Sequence, residues 1–170
     1  MYRMLTHVKD HFRVRSKAKL IENVLVGTKT IIDIGSGSGG FTNHLTKKGF
    51  EVTGVDVVDK TAYKEVSVSL YDGNQLPFAN NSFDAAMLIT VLHHCPNPDE
   101  VFSEAVRVSK GKIVVLEDVY SNWLMKYLTW GMDSLVNLEF KGHPHSNKSE
   151  QEWEILFQQH DLLIKKKTIT

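Results

Sequence analysis

"IIDIGSGSGGF", residues 31–41, decides the fold of this chain. Isoleucines at 31, 32 and 34 surround Asp33, and glycines then occupy positions 35, 37, 39 and 40. An apolar run of this length reads as a buried strand, and the glycines read as a sharp turn into a helix. Glycine removes the Cβ, so backbone can turn tightly and approach a ligand closely. The helix that follows presents its free N–H groups and positive end at that ligand. Glycines 35, 37 and 40 also satisfy the dinucleotide spacing G-x-G-x-x-G, which alone is compatible with several cofactors and with a simple packing turn.

Outward from this stretch, strands and helices alternate. "GFTNHLTKKG" (40–49) reads as a helix closed by Gly49, and "EVTGVD" (51–56) as a second strand. "KEVSVSLYD" (64–72) alternates apolar and polar residues as a third strand does. "FDAAMLIT" (83–90) is nearly all apolar, the pattern of a central parallel strand covered on both faces. "NPDEVFSEAVRVSKG" (97–111) reads as a helix ending at Gly111, and "KIVVLEDV" (112–119) as a fifth strand. Helices are expected at 121–140 and 146–160, and a sixth strand at 161–170. Residues 3 to 26 read as a basic amphipathic helix with Leu5, Val8, Phe12, Leu20, Val24 and Leu25 on its apolar side. The pattern predicts an α/β fold: a Rossmann-like, doubly wound, mostly parallel sheet with helices on both faces. The 170 residues are expected to form a single domain. It divides into an N-terminal helix (1–26), a cofactor-binding core (29–118), an acceptor lid (119–147) and a last helix with edge strand (148–170).

Composition narrows the function classes. Twenty basic residues balance twenty acidic ones, so no global field draws in nucleic acid or an anionic membrane, and no nucleic-acid partner is expected. The single cysteine, Cys95, excludes an internal disulfide and fits a reducing compartment, so a cytoplasmic location is expected. The N-terminal stretch has neither the apolar run of a signal peptide nor that of a membrane span.

Three acidic residues separate the candidate cofactors. No G-x-x-x-x-G-K-[ST] motif is present, which excludes a P-loop. Asp56 ends the second strand, where a carboxylate accepts from the two hydroxyls of a ribose, in NAD and S-adenosylmethionine alike. Asp33 would repel a pyrophosphate but can pair with the ammonium of an amino-acid moiety; the alternative is a carboxylate satisfied by its own surroundings. Asp72-Gly73 follows the third strand and is also a common hairpin turn.

With "VTGVD", "YDGNQLPFANNSFDAAMLITVLHH" and "EAVRVSKGKIVVLED", the opening motif resembles the class I S-adenosylmethionine-dependent methyltransferases. The resemblance is to the small-molecule, methyltransferase type 11-like branch, with its "LPF…SFD…LHH" signature, and it covers residues 29 to 118. It implies transfer of a methyl group from S-adenosyl-L-methionine to a small-molecule acceptor, leaving S-adenosyl-L-homocysteine. By the same resemblance Asp33, Gly35, Ser36, Gly37 and Gly39 lie against the methionine part, and Asp56 holds the ribose. Val57 lies beside the adenine, Asp72 accepts from the adenine amine with Gly73 against the ring, and Thr90 and Val91 form the pocket floor. His93, His94 and Glu117 are the catalytic candidates, as proton acceptor or acceptor-orienting group, with packing of the histidines as the alternative. Cys95-Pro96 lacks the surrounding motif of a cysteine nucleophile.

The acceptor leaves less trace. "TVLHHC" after the fourth strand has neither the motif of nucleobase amine methylation nor a metal-binding aspartate. Trp123, Tyr127, Trp130 and Met132 suit either an apolar acceptor pocket or ordinary core. Asp118, beside Glu117, also ends the fifth strand towards the cleft. His143 and His145 lack a third ligand, so a surface loop is expected rather than zinc, and Lys165 to Lys167 read as a solvated edge. The helix between Asp56 and the third strand is reduced to a turn, and the seventh strand of the family is missing before Thr170. Either the chain is truncated or its edge strand is left for a partner, a homodimer being the candidate. A cofactor-binding module without catalysis and an NAD-dependent dehydrogenase remain as rival readings.

Overall fold

The computed structural model describes residues 2–117, 119 and 148–165, with backbone alone for 2–9 and 11. In chain order these form α1 (Tyr2–Val24), β1 (Thr30–Ile34), α2 (Gly40–Lys47), β2 (Glu51–Asp56), β3 (Val68–Leu70) and β4 (Phe83–Ile89). A 3₁₀ turn (Leu92–His94), α3 (Pro98–Val108), β5 (Ser109–Leu116) and a last helix, here α4 (Glu150–Gln159), follow. The strands make one parallel sheet in the order β3-β2-β1-β4-β5. The order reverses between β1 and β4, so a crevice opens where their carboxyl ends diverge.

Strand alternation sorts the core into two layers. Ile32 and Ile34 of β1 and Ala86 and Leu88 of β4 pack with Phe102 and Ala105 of α3 and Trp153 and Leu156 of α4. On the other face, Ile31, Ala85, Met87 and Ile89 pack with Phe41 and Leu45 of α2 and Val14, Ala18 and Ile21 of α1. β1 and β4 are therefore apolar on both sides, as the run-on hydrophobic pattern requires.

The "LPF…SFD" signature is structural on both counts. Asp84 lies at the end of the sheet opposite the glycine turn, where it accepts from Lys29 N, Thr30 N and the Lys110 ammonium and joins three strands. Those donors hold its carboxyl well below the usual range. Arg107 of α3 donates to the carbonyls of Leu76 and Phe78, to Asn80 Oδ1 and to Glu104, and Glu104 accepts from Leu76 N. This pair fastens the loop between β3 and β4. At α4, Ser149 and Glu152 form a reciprocal capping box, matching the serine and glutamate pattern there.

Four expectations change. β3 covers Val68–Leu70 and not 64–72, because Val66 is buried beneath the glycine turn, against Gly39, before the strand begins. β5 starts at Ser109, and Gly111 (φ +93°) is an extra residue within it and not a helix terminator. α1 buries Val14, Ala18, Ile21 and Leu25 with the adjoining turn, and Phe12 is 71% exposed. Small Ala18 lets the helix approach the sheet on that stripe, and Asp10 lies on the same stripe. Residues 161–165 form no strand. The helix at 121–140, residues 166–170, Asp118, Trp123, Tyr127, Trp130, Met132, His143 and His145 lie outside the described residues. Among the described residues no helix is long and apolar enough to cross a membrane.

Candidate functional site

The glycine turn is built by backbone conformation. Gly35, Gly37 and Gly39 have φ of +71°, +53° and +78°, values that L side chains rarely adopt. Gly35 N and Ser36 N both donate to Val55 O, which ties the turn to β2. A Cβ on Gly35 would lie 2.1 Å from Val91 Cγ2, so the turn and the segment after β4 are in direct contact. Above Gly37 a Cβ would meet nothing nearer than Gly35 O at 4.0 Å. The turn is therefore closed on its flanks and open at its centre, as backbone that cradles a ligand must be.

Asp56 reaches this open centre. Its Oδ2 accepts from Gly37 N at 2.8 Å, and its Oδ1 accepts from Val57 N at 2.8 Å. A carboxylate oxygen has two acceptor sites, so capacity remains for hydroxyl donors. Asp33 is 2% exposed, and its Oδ2 accepts from the Thr42 hydroxyl at 2.6 Å. Burial pushes its carboxyl up to about 6, against the opposing pull of that hydroxyl and of Arg13. The alternative of a carboxylate satisfied by its surroundings is thus partly realised, through the hydroxyl and the backbone N–H of Thr42 in α2.

Ser36 is turned under the loop. Its hydroxyl is buried without a partner among the described residues and lies 3.2 Å from where Gly54 would carry a Cβ. The glycine inside "VTGVD" is what leaves room for Ser36 and Thr42 beneath the turn. Beyond β3, Gly73 (φ +88°) lies against Val57, with 3.3 Å from its absent Cβ to Val57 Cγ1. Asp72 is exposed, and its Oδ1 caps the turn by accepting from Asn74 N and Gln75 N. Those amides lower its carboxyl. Asp72 therefore serves the local turn with one oxygen.

The segment after β4 carries the remaining candidates. Thr90 has φ +52°, a strained conformation for a β-branched residue that costs roughly 1–3 kcal/mol. Its N–H continues the sheet by donating to Leu116 O at 2.7 Å. Glu117 Oε1 accepts from Val91 N and Leu92 N, both at 2.8 Å, and Oε2 meets His93 Nδ1 at 2.5 Å. His93 and Glu117 side chains are 6% and 3% exposed, and the His94 ring stacks obliquely on His93 at 3.9 Å. Cys95 Sγ points at Val91 O, and burial with the nearby Glu117 and Asp56 charges pushes the thiol up to about 11. A thiol so raised is no nucleophile near neutral pH.

Two contributors left no motif in the sequence. Asp10 of α1 is buried against Gly40, and its Oδ1 accepts from the Ser38 hydroxyl at 2.9 Å. Tyr71 donates its N–H to Asp56 O, and its phenol is pushed up to about 12 by burial and by the nearby Cys95, Asp56, Asp72 and Glu104. An acid on the buried stripe of α1 was the available signal for Asp10; nothing in the pattern singles out Tyr71.

A family profile described as a methyltransferase domain matches residues 32–115. An uncharacterized methyltransferase of Mycobacterium sp. (strain KMS) is 30% identical over 105 residues, 58% of this chain and 41% of that protein. The chain spans well under half the length of that relative. The demethylmenaquinone methyltransferase of Tropheryma whipplei (strain Twist) is 23% identical over 169 residues, covering 88% of this chain and 70% of that one. A solved S-adenosylmethionine-dependent methyltransferase of Methanosarcina mazei superposes with a TM-score of 0.63 at 22% identity, covering 82% of each chain, which shows the shared fold. The profile begins inside β1 and ends inside β5, so the similarity to a methyltransferase domain takes in the glycine turn and the core of the sheet.

Proposed function

We propose that this chain is a methyltransferase core that binds S-adenosyl-L-methionine at the C-terminal edge of its sheet and methylates a small-molecule acceptor in the cytoplasm. The observation that carries the reading is the Asp56 carboxylate drawn onto Gly37 N at the open centre of the glycine turn. A carboxylate suited to a ribose and a backbone cradle suited to the amino-acid end thereby meet in one place. The residues present fit the cofactor: Asp33 and the glycine turn for the amino-acid end, Asp56 for the ribose, Val57, Gly73 and Asp72 for the adenine. Thr90 and Val91 would close the floor.

When bound, S-adenosylmethionine supplies a methyl group already activated on a sulfonium. The chain's own task is then to align an acceptor in line with that group and exclude water. The buried acids and the strained turn suit preorganisation better than proton transfer. Glu117 is bonded to Val91 N, Leu92 N and His93 Nδ1, and Cys95 is held as a thiol. A small-molecule acceptor is supported by relatives named for demethylmenaquinone and, in Caenorhabditis elegans, for sterol methylation.

Calorimetric titration with S-adenosylhomocysteine and with NAD tests the cofactor. Binding of the first and none of the second is expected; the reverse would overturn the reading. Asp56→Ala should weaken S-adenosylhomocysteine binding by roughly 10- to 100-fold, the loss of hydrogen bonds to a charged group. Unchanged affinity would mean that the ribose lies elsewhere. A screen of acceptors with labelled methyl donor then tests turnover.

A further inference from the structure

We infer that Glu117 is a positioning residue for the cofactor pocket, its buried carboxylate holding the Thr90–His93 turn in the strained conformation that seats Val91 on Gly35. The inference rests on reading that turn as the floor of the S-adenosylmethionine site.

Glu117 follows β5 directly, while among the described residues the three groups that bond it belong to the turn after β4: Val91 N, Leu92 N and His93 Nδ1. Its side chain is 3% exposed, so these contacts are made out of water's reach. A threonine with φ +52° relaxes towards ordinary backbone unless its surroundings hold it. Two amides bound to one carboxylate oxygen, next to the Thr90 N–Leu116 O bond, provide that hold. The consequence is local and steric. Val91 Cγ2 stands 2.1 Å from where any Cβ on residue 35 would be, so with the turn in this position Val91 occupies the space that glycine leaves. Releasing the turn lifts Val91 away and opens the crevice between β1 and β4 at its base.

The same arrangement fixes the imidazole. A carboxylate only accepts, so its contact with His93 requires the proton on Nδ1. Gln at position 117 has one accepting oxygen. If it keeps both amides, its NH₂ faces His93 and the ring must carry its proton on Nε2.

The test is Glu117→Gln. Expected are S-adenosylhomocysteine binding weakened roughly tenfold in protein that remains folded, and loss of the His93 Nδ1 proton in ¹⁵N NMR. A lower melting temperature with wild-type affinity would overturn the positioning role and leave a structural one. Should the variant not fold, hydrogen exchange on the wild-type protein decides: slow exchange of the Val91 and Leu92 amides is expected, and exchange at unprotected rates overturns the clamp. Wild-type protein that binds no S-adenosylhomocysteine overturns the cofactor reading and this role with it. That failure is told apart from failure of the clamp alone by the amide protection and ring form, which need no ligand.

Discussion

Asp33 concentrates the conflict between folding and binding in one side chain. Its carboxyl is pushed up to about 6 in the fold against an ordinary 3.8. Between those values the folded chain holds a proton that the unfolded chain has released, so stability falls as pH rises from about 4 to about 6 and stays lower above. The shift corresponds to about 3 kcal/mol. Asp33→Asn keeps an oxygen for the Thr42 hydroxyl and removes the buried charge. It should stabilise the protein at pH 7 by about 1–3 kcal/mol in urea denaturation and weaken S-adenosylhomocysteine binding. In the wild type that binding should strengthen as pH rises through 6 and level off near pH 7, since the proposed function gives the ionised carboxylate to the ammonium of the cofactor. Gly35→Ala combines a forbidden φ with overlap on Val91. A loss of about 2–4 kcal/mol with loss of binding is expected, read by thermal melting and titration.

The elements show where pattern reading succeeds. Strands β1, β2 and β4 and helices α2 and α4 lie where periodicity and capping residues put them, since burial on both faces or a cap leaves a local trace. β3 was overestimated because Val66, in step with the alternation, serves the glycine turn and not the sheet. β5 was started too late because glycine in a strand and glycine after a helix look alike in one dimension. The loop between β3 and β4 has no regular structure yet is held by three Arg107 hydrogen bonds, to Leu76 O, Phe78 O and Asn80 Oδ1. Arg107→Ala should cost about 2–3 kcal/mol, since Glu104 is left without its charged partner and two carbonyls lose a donor. Limited proteolysis should then cut within residues 74–82 faster than in the wild type, and unchanged cleavage would show the loop to be held otherwise.

At the scale of the whole molecule, the sheet is sandwiched between α1 and α2 on one face and α3 and α4 on the other. α1 joins this body through Val14, Ala18 and Ile21, and His44 of α2 bonds Glu22 at 2.6 Å. Ile21, 1% exposed, is the deepest of those anchors. Ile21→Ala should destabilise by about 2–5 kcal/mol in chemical denaturation, and should expose Asp10 beside the turn. The strand–turn–helix at residues 31–41, the parallel sense of the sheet and the acids at or just beyond the ends of β1, β2 and β3 were all legible in the chain. Each is written in local chemistry: apolar runs, glycines that permit positive φ, carboxylates at fixed distances along the backbone. The roles of Glu117, Ser36 and Asp10 were not. Glu117 and His93 are 24 residues apart, and Asp10 and Ser38 are 28 apart, so their pairing depends on which strand ends the sheet brings together. A hydrogen bond between distant segments has no period and no neighbour in sequence; it comes into being when the sheet closes.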